Sequence, residues 1–294
     1  MRTIYTTLEL LSLLRSSDRE PSPSSPFRAL MTLNAETEAR ALTEEQKLLC
    51  AFALNPERTI LLGRHSAVDG TLYLLNIGPI WYLYTWLEAQ DRHVFEAFFD
   101  RPRLLKLLQR NFCGYYQPNF SAFTQLSLRM TRDEFVLWNL IRALYASRAR
   151  KGTGNNEPFT ADDLKASDLG LYLRNYLDEL GMKSLADTAD RLLAEKTHDD
   201  LENALKALEE KGILTQDLAG VTQEKAYRQT RTALERLDDG MLTDTVWYAD
   251  RTDPEESREM LLCLRRDGVL ALIPTDDGGV ALRTFSDLPW EELI

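Results

Sequence analysis

Apolar positions near the start of the chain follow a helical period. In TTLELLSLLR (residues 6–15), Leu8, Leu11 and Leu14 share one stripe, and Thr6 or Thr7 can cap the helix. Residues 16–26, SSDREPSPSSP, form a polar, proline-rich loop. Thr43-x-x-Gln46 has the form of a capping box and opens a helix to about Leu54, which Asn55-Pro56 ends. The period then changes. Residues 58–64, 71–76, 79–86 and 93–99 are rich in β-branched and aromatic residues. Asp69-Gly70, Asn76-Ile77-Gly78-Pro79 and Gln90-Asp91 separate them, which predicts a four-stranded antiparallel meander. Residues 101–110, RPRLLKLLQR, return to helix with Pro102 in the first turn.

Residues 111–130 are irregular and aromatic. Thr131-x-x-Glu134 caps a helix through about Arg148, with Phe135, Trp138, Leu140, Ile141 and Leu144 inside. Lys151 to Pro158, KGTGNNEP, reads as a linker. Short helices follow over 160–166, 168–180, 183–195 and 198–211, and a longer one over 222–238. A second set of strands covers 242–249, 258–264, 269–273 and 280–285, with hairpin signals at Asp267-Gly268 and Asp276-Asp277-Gly278-Gly279. DLPWEELI (287–294) gives a last helical turn.

The two meanders superpose at offsets of 186 to 188 positions. Leu72 meets Met260, Trp81 meets Val269, Phe99 meets Phe285 and Pro102 meets Pro289. The preceding helix also matches, Leu48 over Leu234, and the leucine-rich helix 8–15 is set against 201–209. The expected fold is α+β, a quasi-twofold repeat of helix, helix, four-stranded antiparallel meander and helix. Its parts are a first half over 1–110, a mainly helical insert over 111–195 and a second half over 196–294. One meander alone leaves its edges and an apolar face uncovered, whereas two halves can pair edges into one sheet and cover it with helices.

Composition adds a charge asymmetry. The 294 residues carry a formal net charge of −11 and 44% hydrophobic residues, ordinary for a globular protein. Residues 1–150 hold 18 Lys+Arg and 15 Asp+Glu, whereas 151–294 hold 17 and 31. The acidic second half argues against nucleic acid and anionic membranes as partners there. Residues 101–150 are locally basic, with nine Lys+Arg against Asp133 and Glu134, and read either as a binding site or as an internal match to the acidic half. Three separated cysteines, no CxxC pair and no signal-peptide pattern predict a cytoplasmic protein. The most apolar run, Leu72 to Leu87, is interrupted by Asn76, Gly78 and Pro79, so no membrane insertion is expected.

Chemistry-bearing motifs are missing. His65, His93 and His198 are scattered, without HExxH spacing, and no phosphate loop, dinucleotide fingerprint or nucleophile elbow occurs. The acidic turn at 276–279 lacks the ligand spacing of a calcium loop. Cys113 is read as a buried or bystander thiol. No catalytic residue, metal site or cofactor is assigned, and the chain is read as a non-enzyme. Residues 185–217, ending in DDLENALKALEEKGILTQD, resemble the third helix and first wing strand of a winged helix, which keeps a transcriptional regulator as the alternative. The acids Asp199, Asp200, Glu202, Glu209 and Glu210 on that helix would repel phosphates and point to protein contacts instead.

The order of a leucine-rich first helix (ELLSLLR), a second helix, a meander closed by RLLKLLQ, a helical insert and a degenerate copy resembles the EspG-type chaperones of type VII secretion systems and their relatives in Gram-positive secretion gene clusters. The resemblance implies a quasi-twofold α+β fold with a central antiparallel sheet flanked by helical bundles. It also implies a non-enzymatic cytosolic role, keeping a helical secreted protein or protein pair soluble. Such a chaperone must present an apolar patch that masks the client's own. Two candidates stand out: the loop aromatics Tyr115, Tyr116, Phe120 and Phe123, and one face of the strand 79–86, Tyr82, Tyr84 and Trp86. The opposite face of that strand carries Trp81, Leu83 and Thr85. One face belongs to the core, and the other is covered by helices or meets a partner.

Overall fold

The computed structural model describes residues 2–38, 40–64, 71–113, 126–150, 157–165, 198–217, 226–230, 242–253, 258–265, 268–286 and 288–294. In chain order the elements begin with β1 (Arg2–Tyr5), α1 (Thr7–Arg15), α2 (Arg28–Met31), α3 (Glu44–Leu54), β2 (Arg58–Arg64), β3 (Thr71–Ile77), β4 (Ile80–Leu87), β5 (Arg92–Phe98) and α4 (Arg101–Cys113). Then come β6 (Ser127–Met130), α5 (Arg132–Arg150), α6 (His198–Glu210), β7 (Leu214–Asp217) and β8 (Ala226–Gln229). The last are β9 (Leu242–Asp250), β10 (Arg258–Arg265), β11 (Gly268–Pro274), β12 (Val280–Phe285) and α7 (Trp290–Leu293). This is an α+β fold with extensive antiparallel pairing.

Two compact units divide the chain. The first comprises Met1–Gln117, Asp244–Leu264 and Asp287–Ile294, the second Pro118–Thr243 and Arg265–Ser286. In the first unit the strand order is β1-β5-β4-β3-β2-β9-β10. The meander β2 to β5 forms, with the turn signals at 76–79 and 90–91 between its strands; Asp69-Gly70 lies outside the described residues. Gly78, at φ 54, makes the tight β3–β4 turn, and the Asn76 side chain donates to the carbonyls of Gly78 and Ile80. The first strand of the first meander, β2, pairs antiparallel with the first strand of the second, β9, from Ile60 opposite Asp250 to Arg64 opposite Val246. Strand runs nearly two hundred residues apart in sequence are thus hydrogen-bonded within one unit.

Helices α1 and α3 bury one face of this sheet. Leu10, Leu13 and Leu14 of α1 pack with Leu49, Phe52 and Leu54 of α3, with Phe27, and with Leu75, Tyr82, Tyr84 and Phe95 from the strands. Both helices carry complete capping boxes, Thr6 with Glu9 and Thr43 with Gln46. On the other face, Tyr248 donates to the Leu293 carbonyl of α7, and Trp290 of α7 packs against Phe112 of α4 at 5.6 Å between ring centroids. Arg58 on that face binds Asp250 at 3.0 Å and donates to the carbonyls of Leu293 and Ile294. One guanidinium therefore ties β2, β9 and the last helix together.

The second unit contains β11-β12-β6 and the separate pair β7-β8. Nearly every side chain of α5 from Phe135 to Tyr145 is buried, as expected of a central helix. Lys211, just past α6, is ion-paired to the Glu134 carboxylate, which is itself buried. Helix α6 ends as its Gly212 predicts, at φ 71, with the Ile213 amide reaching back to the Leu208 carbonyl. The acidic turn at 276–279 is a hairpin turn, as expected. Gly278 has φ 77, and Asp277 accepts from Thr275 and pairs with Arg129 at 2.9 Å.

Several expectations change. Residues 2–5 and 127–130 are strands, paired to β5 and β12, because each completes an edge that sequence period cannot reveal over four residues. Residues 226–229, expected within a helix, form β8, since Tyr227 and Gln229 point inward and pair with β7. The leucine-rich helix α1 is matched by α5 rather than by 201–209. Each follows an edge strand, and each is capped by Thr-x-x-Glu, Thr131 with Glu134 in α5. Within α1 the buried leucines are Leu10, Leu11, Leu13 and Leu14, and Leu8 lies 60% exposed in the first turn. The helices expected at 168–180 and 183–195, and the linker glycines, lie outside the described residues.

Candidate partner-binding site

Where β1 meets α1, beside the tip of the β4–β5 hairpin, polar and apolar groups of the first unit converge. Tyr5 pairs with His93 across β1 and β5, and Trp86 pairs with the same histidine across β4 and β5. The imidazole is buried and stacks on two rings, Tyr84 at 5.9 Å and Trp86 at 5.7 Å, each within 6° of parallel to it. The Tyr84 hydroxyl lies 2.8 Å from Nδ1 and the Thr7 hydroxyl 3.0 Å from Nε2. Asp91, held at φ 48, accepts from both the amide and the hydroxyl of Thr7.

The donors can be ordered. The Thr7 hydroxyl proton is engaged by the Asp91 carboxylate, so Nε2–H donates to Thr7 Oγ1 and Nδ1 accepts from the Tyr84 hydroxyl. The chain Tyr84, His93, Thr7, Asp91 then satisfies every buried polar group with a neutral imidazole. Burial holds the His93 pKa below its ordinary 6.5, against the opposing pull of Asp91. Burial also raises the Tyr84 pKa, whereas the Thr7 hydrogen bond lowers that of Asp91. A histidine that donates to Thr7 cannot take its proton. The cluster has the membership of a nucleophilic triad but not its polarity.

Around this polar chain the surface is apolar. Trp86 is 47% exposed beyond its stacked face and Leu8 60%, whereas Ile4, 49% exposed, shares the opposite face of the sheet with Val94 and Thr85. The strand beside them is β1, the last in the order of this unit, whose outer edge carries no strand among the described residues.

The sequence candidates divide. Tyr82 and Tyr84 are core residues under α1 and α3, 3% and 5% exposed, and are corrected from surface to interior; Trp81 and Leu83 on the opposite face are buried too. Of that strand only Trp86, near its end, is exposed; Ile80, Thr85 and Leu87 are half-buried. Tyr115, Tyr116, Phe120 and Phe123 lie outside the described residues. Leu8 was missed because it reads as part of a buried leucine stripe. Among the described residues no group of His, Cys, Asp and Glu is placed to hold a metal ion, and no helix is long and apolar enough to cross a membrane. Cys50 is buried, which pushes its thiol up to about 11. Side-chain burial at Cys113 lies outside the described residues.

No family model and no curated protein matches the sequence. Among solved structures, the chain is similar to the Mycobacterium tuberculosis type VII secretion system chaperone EspG5, solved in complex with a PE25–PPE41 dimer. The identity is 12%, the TM-score 0.39, and the match covers 96% of this chain and 90% of that one.

Proposed function

We propose that this chain is a non-catalytic cytosolic chaperone or adaptor that holds a helical secreted protein, or a pair of them, of a type VII-like secretion system. The observation that carries the reading is the antiparallel junction of β2 with β9. It joins the first strands of the two meanders edge to edge, which supports the quasi-twofold arrangement expected from the sequence. The partner surface is assigned to Trp86 and Leu8, whose exposed apolar area a client helix would cover. Trp86 is suited to anchor it, being rigidly stacked on His93 with one face free. The ordered donor chain beneath gives a binding surface without a base for catalysis.

Co-expression with the small helical secreted proteins encoded beside the gene tests this. A complex stable through size exclusion, and weakened by Trp86→Ala, is expected; no complex with any such neighbour overturns it. The alternative, a winged-helix regulator, is favoured by one observation. Helix α6 leads into the antiparallel β7–β8 pair, and Phe159 adds a bridge to Tyr227, as the small strand of a winged helix would. That reading requires duplex DNA to be retained at low salt.

A further inference from the structure

The exposed face of α4 carries a charge pattern that nothing described around it answers. Leu104, Leu108 and Phe112 are buried, and at about 100° per residue Arg103, Lys106 and Arg110 lie within about 60° of one another on the opposite side. All three are exposed. The other basic residues of 101–150 are largely engaged. Arg129 pairs with Asp277, Arg148 with Asp163, Arg101 donates to the Glu291 carbonyl, and Arg142 lies over the Trp138 ring. Arg103, Lys106 and Arg110 have no ion pair among the described residues, and α4 has no acid in its first turn. Two residues before the helix stands Phe99, 66% exposed, more than any other large apolar side chain described.

We propose that this face of α4 docks an acidic amphipathic helix of a protein partner. Cations at i, i+3 and i+7 extend over about 10 Å, the length of two helical turns. They match carboxylates at the same spacing on a helix laid alongside, and Phe99 offers an apolar anchor at the end of the row. A protein helix fits better than nucleic acid. Three cations would release only about three counterions, too few to hold a duplex at physiological salt, and the whole chain carries −11. This docking is independent of the client reading above, since it names a different face and needs no secretion substrate.

The test uses the full chain and a fluorescent synthetic helix of Glu, Ala and Leu with Glu at i, i+3 and i+7. Its Gln counterpart and a short DNA duplex are the controls, and the readout is anisotropy. The acidic helix is expected to bind, the Gln helix and the duplex to bind far more weakly, and affinity to fall with salt. The triple change Arg103→Glu, Lys106→Glu and Arg110→Glu should weaken it at least about tenfold, with helix content by circular dichroism unchanged. The milder triple change to Gln should weaken it in the same direction if the reversal harms folding. Phe99→Ala should weaken it about fivefold. Failure of the acidic helix to bind, equal binding by the Gln helix or by either triple variant, or tighter binding of the duplex overturns the proposal.

Discussion

At the scale of single residues, the stack of Tyr84, His93 and Trp86 separates stability from binding. Tyr84 and His93 are interior groups that satisfy one another; Trp86 is the one with a free face. Tyr84→Phe leaves His93 Nδ1 buried without its donor and should cost about 1–3 kcal/mol in urea unfolding, without affecting client binding at saturating protein. Trp86→Ala should do the reverse, costing about 1 kcal/mol of stability while weakening a client complex about tenfold. If both variants behave alike, the division into core and surface is wrong. His93 adds a pH dependence of known sign. Its folded pKa lies below the unfolded 6.5, so the unfolded chain binds the proton first. Its contribution is intact above pH 6.5 and is lost as pH falls from there through the folded pKa. Asp91 is the acid that softens the effect. Proton NMR should find this imidazole titrating below 6.5, and His93→Gln, which can still accept from Tyr84 and donate to Thr7, should flatten the stability profile between pH 7 and 5.

Among the elements, Arg58 decides how firmly the seam between the meanders is held. Burial pushes the Asp250 pKa up, but hydrogen bonds from Thr252 and Arg58 outweigh it and the carboxyl stays below its usual value, so the pair is ionised at neutral pH. Arg58→Ala removes four hydrogen bonds at once: it takes the cation from a half-buried carboxylate and one donor each from the carbonyls of Leu293 and Ile294. A loss of about 2–4 kcal/mol is expected in denaturant titration, and adding Asp250→Asn should recover part of it. The strands beside this seam were legible from sequence because β-branched and aromatic runs, the turn signal at Asn76-Ile77-Gly78-Pro79 and the capping box at Thr43 all agree there. The edges were not. β1 and β6 are four residues long and take their identity from β5 and β12. The same reasoning misplaced Tyr82 and Tyr84: alternation shows that two faces are apolar but not that helices cover both.

For the molecule as a whole, the consequence is that sequence halves and structural units do not coincide. The first unit draws β1 to β5 from the start of the chain and β9, β10 and α7 from its end. Its closure therefore waits on contacts nearly two hundred residues apart, whose chain entropy must be met before pairing repays it. A fragment ending at Gln117 keeps the helices α1 and α3 and the core beneath them. It exposes β2, with Ile60, Leu61 and Leu62 along an unpaired edge, and strips β9 and α7 from the face carrying Trp81 and Leu83. An open apolar edge of that length recruits other strands. The fragment should accordingly run as soluble oligomers or aggregate in size exclusion, and adding residues 242–294 in trans should return part of it to a smaller, defined species. A monomeric, cooperatively melting fragment would mean that the first meander is complete alone, and that the β2–β9 junction is an accessory to the fold rather than its closure.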